Sequence, residues 1–282
     1  MFHLISAIMQ FLNFSAYKFI TLTDRDTLRE DAQRRALEAG LRGTILLAEE
    51  GINLFLAGEE SLLRGWLTWL KTDARFADLA PKESWSDHQP FNRMLVRLKS
   101  EIITMRQPQL RPAGERAAHV APRDLKRWLD QGHDDEGRAV KLLDTRNDYE
   151  VRLGTFDGAL DPQLKHFSHF TETVSALDPA LKAARVVTFC TGGIRCEKAA
   201  IYMKNEGFEH VTQLDGGILK YFKDVGGAHY QGDCFVFDRR VALNPQLQAS
   251  GVAECFACRG VVTLEEQQDA RYVPGESCPA CF

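Results

Sequence analysis

The stretch Val186-Val187-Thr188-Phe189-Cys190-Thr191-Gly192-Gly193-Ile194-Arg195-Cys196-Glu197-Lys198-Ala199-Ala200 constrains the fold more than any other part of the chain. A short apolar, β-branched run reads as a buried strand, and the glycines after it let the backbone curl tightly before a helix over Cys196–Glu206, which Gly207 stops. The same alternation surrounds it. Pro122 opens a helix over Arg123–Asp130, short strands fall at Lys141–Asp144 and Val211–Leu214, and Gly216-Gly217 precedes another helix. Strands alternating with helices imply a parallel sheet covered on both faces. The strand delivers Cys190 to its carboxyl end, where successive backbone N–H groups and the helix dipole favour negative charge on sulfur, and Arg195 adds a positive charge. The pattern is an anion cradle around a reactive thiol.

Two enzyme classes use such a cradle. Cysteine phosphatases need room for a tetrahedral phosphate and space their cysteine and arginine as C-x5-R, whereas rhodanese-type sulfurtransferases use a tighter loop; here Cys190 and Arg195 stand as C-x4-R, which favours sulfur chemistry. Leu143-Asp144-Thr145-Arg146, Tyr149-Glu150 and Gly154-Thr155-Phe156-Asp157-Gly158-Ala159 resemble the rhodanese entry motif, and Gly207-Phe208 with Leu214-Asp215-Gly216-Gly217-Ile218 resembles its exit motif. Residues 121–225 are therefore expected to form a rhodanese-like α/β domain. Asp144 and Arg146 read equally as groups that orient the loop or as a structural ion pair. Cys196, just past the loop, reads equally as a thiol that resolves an oxidised Cys190 or as packing. His166 and His169 read as exposed loop residues sooner than as substrate-side groups.

Residues 11–105 carry a different pattern. A strand at Phe14–Thr21, a helix capped by Thr23 or Asp24 and running to Ala39, a hairpin of Thr44–Ala48 and Ile52–Ala57 turning at Glu49-Glu50-Gly51, a helix over Ser61–Leu70 and a long final strand over Phe91–Thr104 give the order βαββαβ. That order predicts a ferredoxin-like, acylphosphatase-like α+β domain, a fold that hosts many functions. Residues 106–120, rich in Pro, Arg, Gln and Gly, read as a basic linker. The chain carries 35 Lys and Arg against 39 Asp and Glu, a net charge of −4, so a polyanion can be held only where positive charge is local. From Phe91 to Arg127 nine basic residues face three acids, and Arg93, Arg97 and Lys99 are the candidate phosphate contacts; the same cluster also reads as a solvated strand edge.

Residues 226–282 end in Cys255-x2-Cys258 and Cys278-x2-Cys281, separated by nineteen residues, the spacing of a four-thiolate structural zinc site. Disulfides formed on oxidation and free thiols are the weaker readings. The first twenty residues have no basic lead and lose their hydrophobicity at Gln10, Asn13 and Ser15, so neither a signal peptide nor a membrane span is expected there, and the cytoplasm is the default compartment.

Taken together, the N-terminal domain with Glu49-Glu50-Gly51-Ile52-Asn53, the loop Cys190 to Lys198, the run Gly232-Asp233-Cys234-Phe235-Val236-Phe237-Asp238-Arg239-Arg240-Val241 and the terminal cysteines resemble the bacterial rhodanese-like, oxygen-dependent tRNA uridine hydroxylases. The resemblance spans Phe14 to Phe282. It implies hydroxylation of the wobble uridine to 5-hydroxyuridine, Cys190 as the active-site cysteine, dioxygen as co-substrate and tRNA as partner, with no membrane or DNA involved and no protein partner named. The alternatives are a rhodanese-type persulfide carrier or a non-catalytic RNA-binding module. The chain stops one residue after Cys281, a shorter tail than the resemblance leads one to expect, and carries no flavin, nicotinamide or iron motif.

Overall fold

In the computed structural model, residues 10–282 are described; the apolar stretch Met1–Met9, read above as neither signal peptide nor span, lies outside them. The chain divides at Ile103 and Thr104 into two compact units. Among the described residues no helix is long and apolar enough to cross a membrane.

The first unit is built from β1 (Phe11–Phe19), α1 (Arg25–Glu38), β2 (Arg42–Ala48), β3 (Gly51–Gly58), α2 (Glu60–Leu70), β4 (Lys82–Ser86) and β5 (Met94–Leu98). Glu49 and Glu50 alone separate β2 from β3, with Ala48 opposite Gly51, as the hairpin reading requires. Glu59 caps α2 by accepting from the N–H groups of Ser61 and Leu62. Alternation along β1 sends Leu12, Phe14 and Ala16 onto the same core as Leu54 and Leu56 of β3, Leu28 and Ala32 of α1, and Leu63 and Trp66 of α2. The sheet order is β4-β1-β3-β2-β5.

Two expectations change here. The strand that completes the βαββαβ pattern is β4, antiparallel to β1, and the long strand expected over Phe91–Thr104 shrinks to β5, parallel to β2 on the opposite edge. A sequence reading passes over Lys82-Glu83-Ser84-Trp85-Ser86 because an edge strand needs few apolar residues, and even its Trp85 is 44% exposed. Asp24 does hold the N-cap position of α1, but its carboxylate accepts from Arg75 at 2.6 and 2.8 Å instead of from the helix.

The second unit begins close to the residues read as linker, 106–120, of which Leu110 and Ala117 are buried. It continues through β6 (Ala118–Val120), α3 (Pro122–Gln131), β7 (Val140–Asp144), α4 (Asp148–Val151), β8 (Gly154–Phe156), α5 (Phe170–Ser175), β9 (Arg185–Phe189), α6 (Ile194–Asn205), β10 (His210–Leu214) and α7 (Gly217–Val225). Four of these strands form a wholly parallel sheet in the order β6-β10-β9-β7. Its core joins Leu125 and Trp128 of α3 to Leu142, Val187, Phe189 and Leu214 of the sheet and to Ile218, Tyr221 and Phe222 of α7.

The rest of the chain adds strands to this body. β11 (Tyr230–Gly232) pairs with β8, β12 (Cys234–Phe235) pairs with β13 (Ala242–Leu243), and β14 (Ala253–Glu254) pairs with β15 (Val261–Val262). Phe156 on β8 meets Phe189, Tyr221 and Tyr230 edge-on with ring centroids 4.9, 4.8 and 5.1 Å apart. A small satellite core of Leu153, Val241, Ala242, Val252 and Val261 links the parallel-sheet body to the C-terminal strands.

Candidate active site

Cys190 follows the last residue of β9 and is wholly buried. Gly193, with φ of 99°, turns the chain into α6 and donates its N–H to the Cys190 sulfur at 3.1 Å; the N–H of Arg195 donates to the same sulfur. The loop is held from behind by α7, whose Ile218 and Leu219 N–H groups donate to the carbonyls of Cys190 and Thr191 at 2.9 and 3.1 Å. That approach needs a glycine at 217: a Cβ there would lie 2.4 Å from the Cys190 carbonyl oxygen.

Burial by itself would push the Cys190 thiol up, but hydrogen bonding from Cys196, the charge of Arg195 and the two N–H groups bring it from 9.0 down to about 5. Cys196 is equally buried and moves the other way, because burial and the negative sulfur beside it both disfavour a second thiolate. The surroundings therefore favour the anion at Cys190 and the protonated thiol at Cys196. Thr145 supports both: its N–H and Oγ1 donate to the Phe189 carbonyl at 3.0 and 2.9 Å, and Oγ1 lies 3.6 Å from the Cys196 sulfur.

The Arg195 guanidinium does not reach into the loop. It forks onto Glu150 at 2.6 and 2.7 Å, and both side chains are buried, so its charge is held fixed. Glu150 also accepts from the Asn147 N–H at 3.2 Å and so ties α4 to α6. Asp144 and Arg146 form a second buried pair. Arg146 donates to Asp144 through its N–H, Nε and Nη2 and to the Gly154 carbonyl at 2.6 Å, while Thr155 Oγ1 donates to Asp144 at 2.8 Å. These bonds clamp the end of β7 to β8. His166 and His169 stand ring to ring, centroids 5.7 Å apart, in the stretch before α5.

The motif Tyr149-Glu150 carries no local sign of a partner for Glu150, and the run from Gly232 to Val241 carries none of its place in the fold. The structure brings that run to the loop: Thr191 Oγ1 donates to the Phe235 carbonyl at 3.2 Å, and Cys234 is buried beside the loop with its thiol pushed up to about 12 by burial. A patterned polar and aromatic run outside the parallel-sheet elements was the available signal.

In the first unit, Arg93, Arg97 and Lys99 are all exposed. The ladder continues past both ends of β5, with Gly43 N–H donating to Arg93 O and Lys99 N–H to Leu47 O, so strand alternation turns the three cations to one face while Met94 and Val96 face the core. Further along, Lys126 is neutralised by Asp130 at 2.6 Å, and Arg127 pairs with Asp124 at 3.2 Å and with Asp135.

Cys255, Cys258, Cys278 and Cys281 come together in space. Their sulfurs all lie within 4.8 Å of one another, with separations of 3.6 Å for Cys255–Cys281, 3.6 Å for Cys258–Cys278 and 3.7 Å for Cys278–Cys281. Four thiolates at ~2.3 Å from a tetrahedral zinc ion stand about 3.8 Å apart, so the set fits that ion. No disulfide joins any of the seven cysteines.

Comparison with known proteins places both units. Residues 11–102 match the UPF0176 acylphosphatase like domain, and residues 121–224 match the rhodanese-like domain. A protein of Cupriavidus taiwanensis named tRNA uridine(34) hydroxylase is 61% identical over 274 residues, 97% of each chain. Proteins of the same name from Ralstonia nicotianae and Burkholderia vietnamiensis are 59% identical, over 97% of each chain, and 57% identical, over 97% of this chain and 98% of theirs. Among solved structures, the rhodanese-like domain of an Anabaena protein is 23% identical and covers 40% of this chain and 78% of its own, with a TM-score of 0.32.

Proposed function

The chain belongs to the tRNA uridine(34) hydroxylase family, and on that premise we propose that it converts the wobble uridine of tRNA to 5-hydroxyuridine, with Cys190 as the reacting thiolate. The single observation that carries the role of Cys190 is the N–H cradle around its buried sulfur, with the charge of Arg195, held by Glu150, favouring an anion there. The reaction replaces the C5–H bond of uridine with C5–OH; one atom of dioxygen enters the base and the other leaves as water, using two electrons and two protons from a reductant. Cys190 has no exposed surface, so the loop must shift before any reactant touches its sulfur, and the uridine ring docks outside the closed loop. An enzyme of this kind works where tRNA is, in the cytoplasm.

The test is nucleoside mass spectrometry of tRNA from cells with and without the gene, complemented by wild type or Cys190→Ser. Loss of 5-hydroxyuridine on deletion and its return only with wild type is the expected result. Unchanged 5-hydroxyuridine in a strain with no second route sinks the hydroxylase reading. Full rescue by Cys190→Ser leaves an RNA-binding role, and thiosulfate-to-cyanide transfer at roughly 1–10³ per second makes the protein a sulfurtransferase.

The tRNA body contacts Arg93, Arg97 and Lys99 in the same reading, because three exposed cations on one strand face suit a phosphate backbone. Replacing all three with alanine should flatten the salt dependence of tRNA binding by roughly 0.7 for each phosphate no longer neutralised, and an unchanged slope puts the RNA surface elsewhere. The four C-terminal cysteines hold zinc, whose closed tetrathiolate sphere folds the segment.

A further inference from the structure

The connection between β12 and β13 is a pinned hairpin tip. Val236 N–H donates to Val241 O at 2.8 Å, Val241 N–H to Asp238 O at 3.0 Å, and Arg240 grips the Asp238 carboxylate at 2.8 and 2.5 Å. Both members of that ion pair are under one-tenth exposed. Staking Asp238 and Arg240 inward leaves two side chains outward. Phe237 is 46% exposed, an unusual state for a ring held on a rigid tip, and Arg239 is exposed with no hydrogen-bond or ion-pair partner for its guanidinium among the described residues.

The tip is also fastened to the Cys190 loop. Thr191, the residue after Cys190, donates its hydroxyl to Phe235 O, and the Arg195 guanidinium lies 5.8 Å from the centroid of the Phe237 ring. Phe237 meets Phe235 edge-on at 5.1 Å, and Phe235 meets Tyr149 edge-on at 5.3 Å. Phe235 and Tyr149 in turn pack against the satellite core. One exposed aromatic ring and one unpaired cation, two residues apart on a rigid tip fastened to the residue after Cys190, match a nucleotide: a π face for the base and a charge for its phosphate. An enzyme that modifies a base must take it out of its stack, and an exposed ring replaces the missing neighbour.

We propose that the tip from Phe237 to Arg240 holds the target nucleotide, with the uridine ring stacked on Phe237 and Arg239 on an adjacent phosphate of the RNA strand. The proposal rests on the hydroxylase reading above, and the experiment separates the two. Full-length wild type, Phe237→Ala, Phe237→Tyr and Arg239→Ala are assayed on an anticodon stem-loop RNA carrying uridine at position 34, measuring Kd, KM, kcat and melting temperature. Stacking on a single ring supports an increase of about tenfold or more in Kd and KM for Phe237→Ala, with kcat changed less. Phe237→Tyr, which keeps the ring, should return both to within about twofold of wild type. Arg239→Ala should weaken binding and reduce the salt slope by about 0.7.

Wild-type KM and Kd in Phe237→Ala, in an otherwise active enzyme, overturns the tip while the hydroxylase reading stands. A Phe237→Tyr variant as impaired as Phe237→Ala shows a packing role and overturns it as well. If Phe237→Ala melts early, Arg239→Ala decides, since that side chain supports nothing in the fold: an unchanged slope and affinity end the proposal. Wild type that neither binds nor hydroxylates the RNA defeats the hydroxylase reading, and the tip with it.

Discussion

At the scale of single residues the site depends on two adjacent thiols held in opposite states. A buried sulfur ordinarily stays protonated, so an anion is favoured at Cys190 only because four interactions outweigh burial, and one of them is the S–H of Cys196. A depressed pKa means the anion persists through neutrality and is lost only as pH falls through about 5. The ultraviolet thiolate absorbance of wild type, less that of Cys190→Ser, should therefore be flat across neutral pH and drop near that value. Cys196→Ala removes a hydrogen bond to a charged group and should move the midpoint up by about 1–2 pH units. A midpoint that does not move shows that the backbone N–H groups and Arg195 suffice and that Cys196 only packs. Hydroxylation lost in Cys196→Ala at a pH where Cys190 is fully ionised would instead assign Cys196 a redox part, since the thiolate itself would be intact.

Elements matter where they let the loop stay closed. α6 and α7 both start at the carboxyl ends of parallel strands, and α7 approaches until its first N–H groups bond the loop carbonyls. Gly217 permits this, with φ of 68° and no room for a Cβ beside the Cys190 and Thr191 carbonyls. Gly217→Ala must push α7 or the loop aside, and a displacement near 1 Å at a reacting group costs on the order of 10²-fold. Hydroxylation should fall by about that much while the thermal transition stays cooperative; near-wild-type turnover would show that the loop tolerates the shift. The sheet-forming parts of this arrangement were legible in sequence. The strands around Val187 and Val211 and the helices after Pro122, Gly193 and Gly216 carry strong local signals, and the structure places them within one or two residues of the reading. The rest depends on partners distant in sequence. β4 is polar and becomes a strand only by pairing with β1, and β8 and β11 are three-residue strands that define each other. Arg195 looked like a loop cation because its position says nothing of Glu150, forty-five residues earlier, which holds the guanidinium.

On the scale of the whole molecule, the C-terminal cysteines and the Cys190 loop are linked by packing. Val252 and Val261, flanking Cys255, share the satellite core with Val241 and Ala242 of the hairpin and Leu153 of the parallel-sheet body, and Arg152 pairs with Glu266. The four-cysteine segment has little core of its own, chiefly Val262 with Cys255 and Cys278, so under the proposed zinc reading metal binding supplies most of its folding energy, about 10–16 kcal/mol in small zinc peptides. The thiolate cradle, by contrast, is built from β9, α6 and α7 and uses none of these residues. Removing metal should therefore act in a fixed order. Purified protein should carry one zinc per chain by elemental analysis, and a chelator or Cys278→Ser should open protease cleavage between Gly251 and Phe282. The satellite core then loosens and the hairpin with it, so stem-loop RNA affinity should fall while the thiolate titration of Cys190 stays in place. Simultaneous loss of both signals would mean that the C-terminal segment supports the parallel sheet itself. Absence of metal from freshly reduced protein would leave the four sulfurs, already 3.6 to 3.7 Å apart in three pairs, as a redox cluster instead.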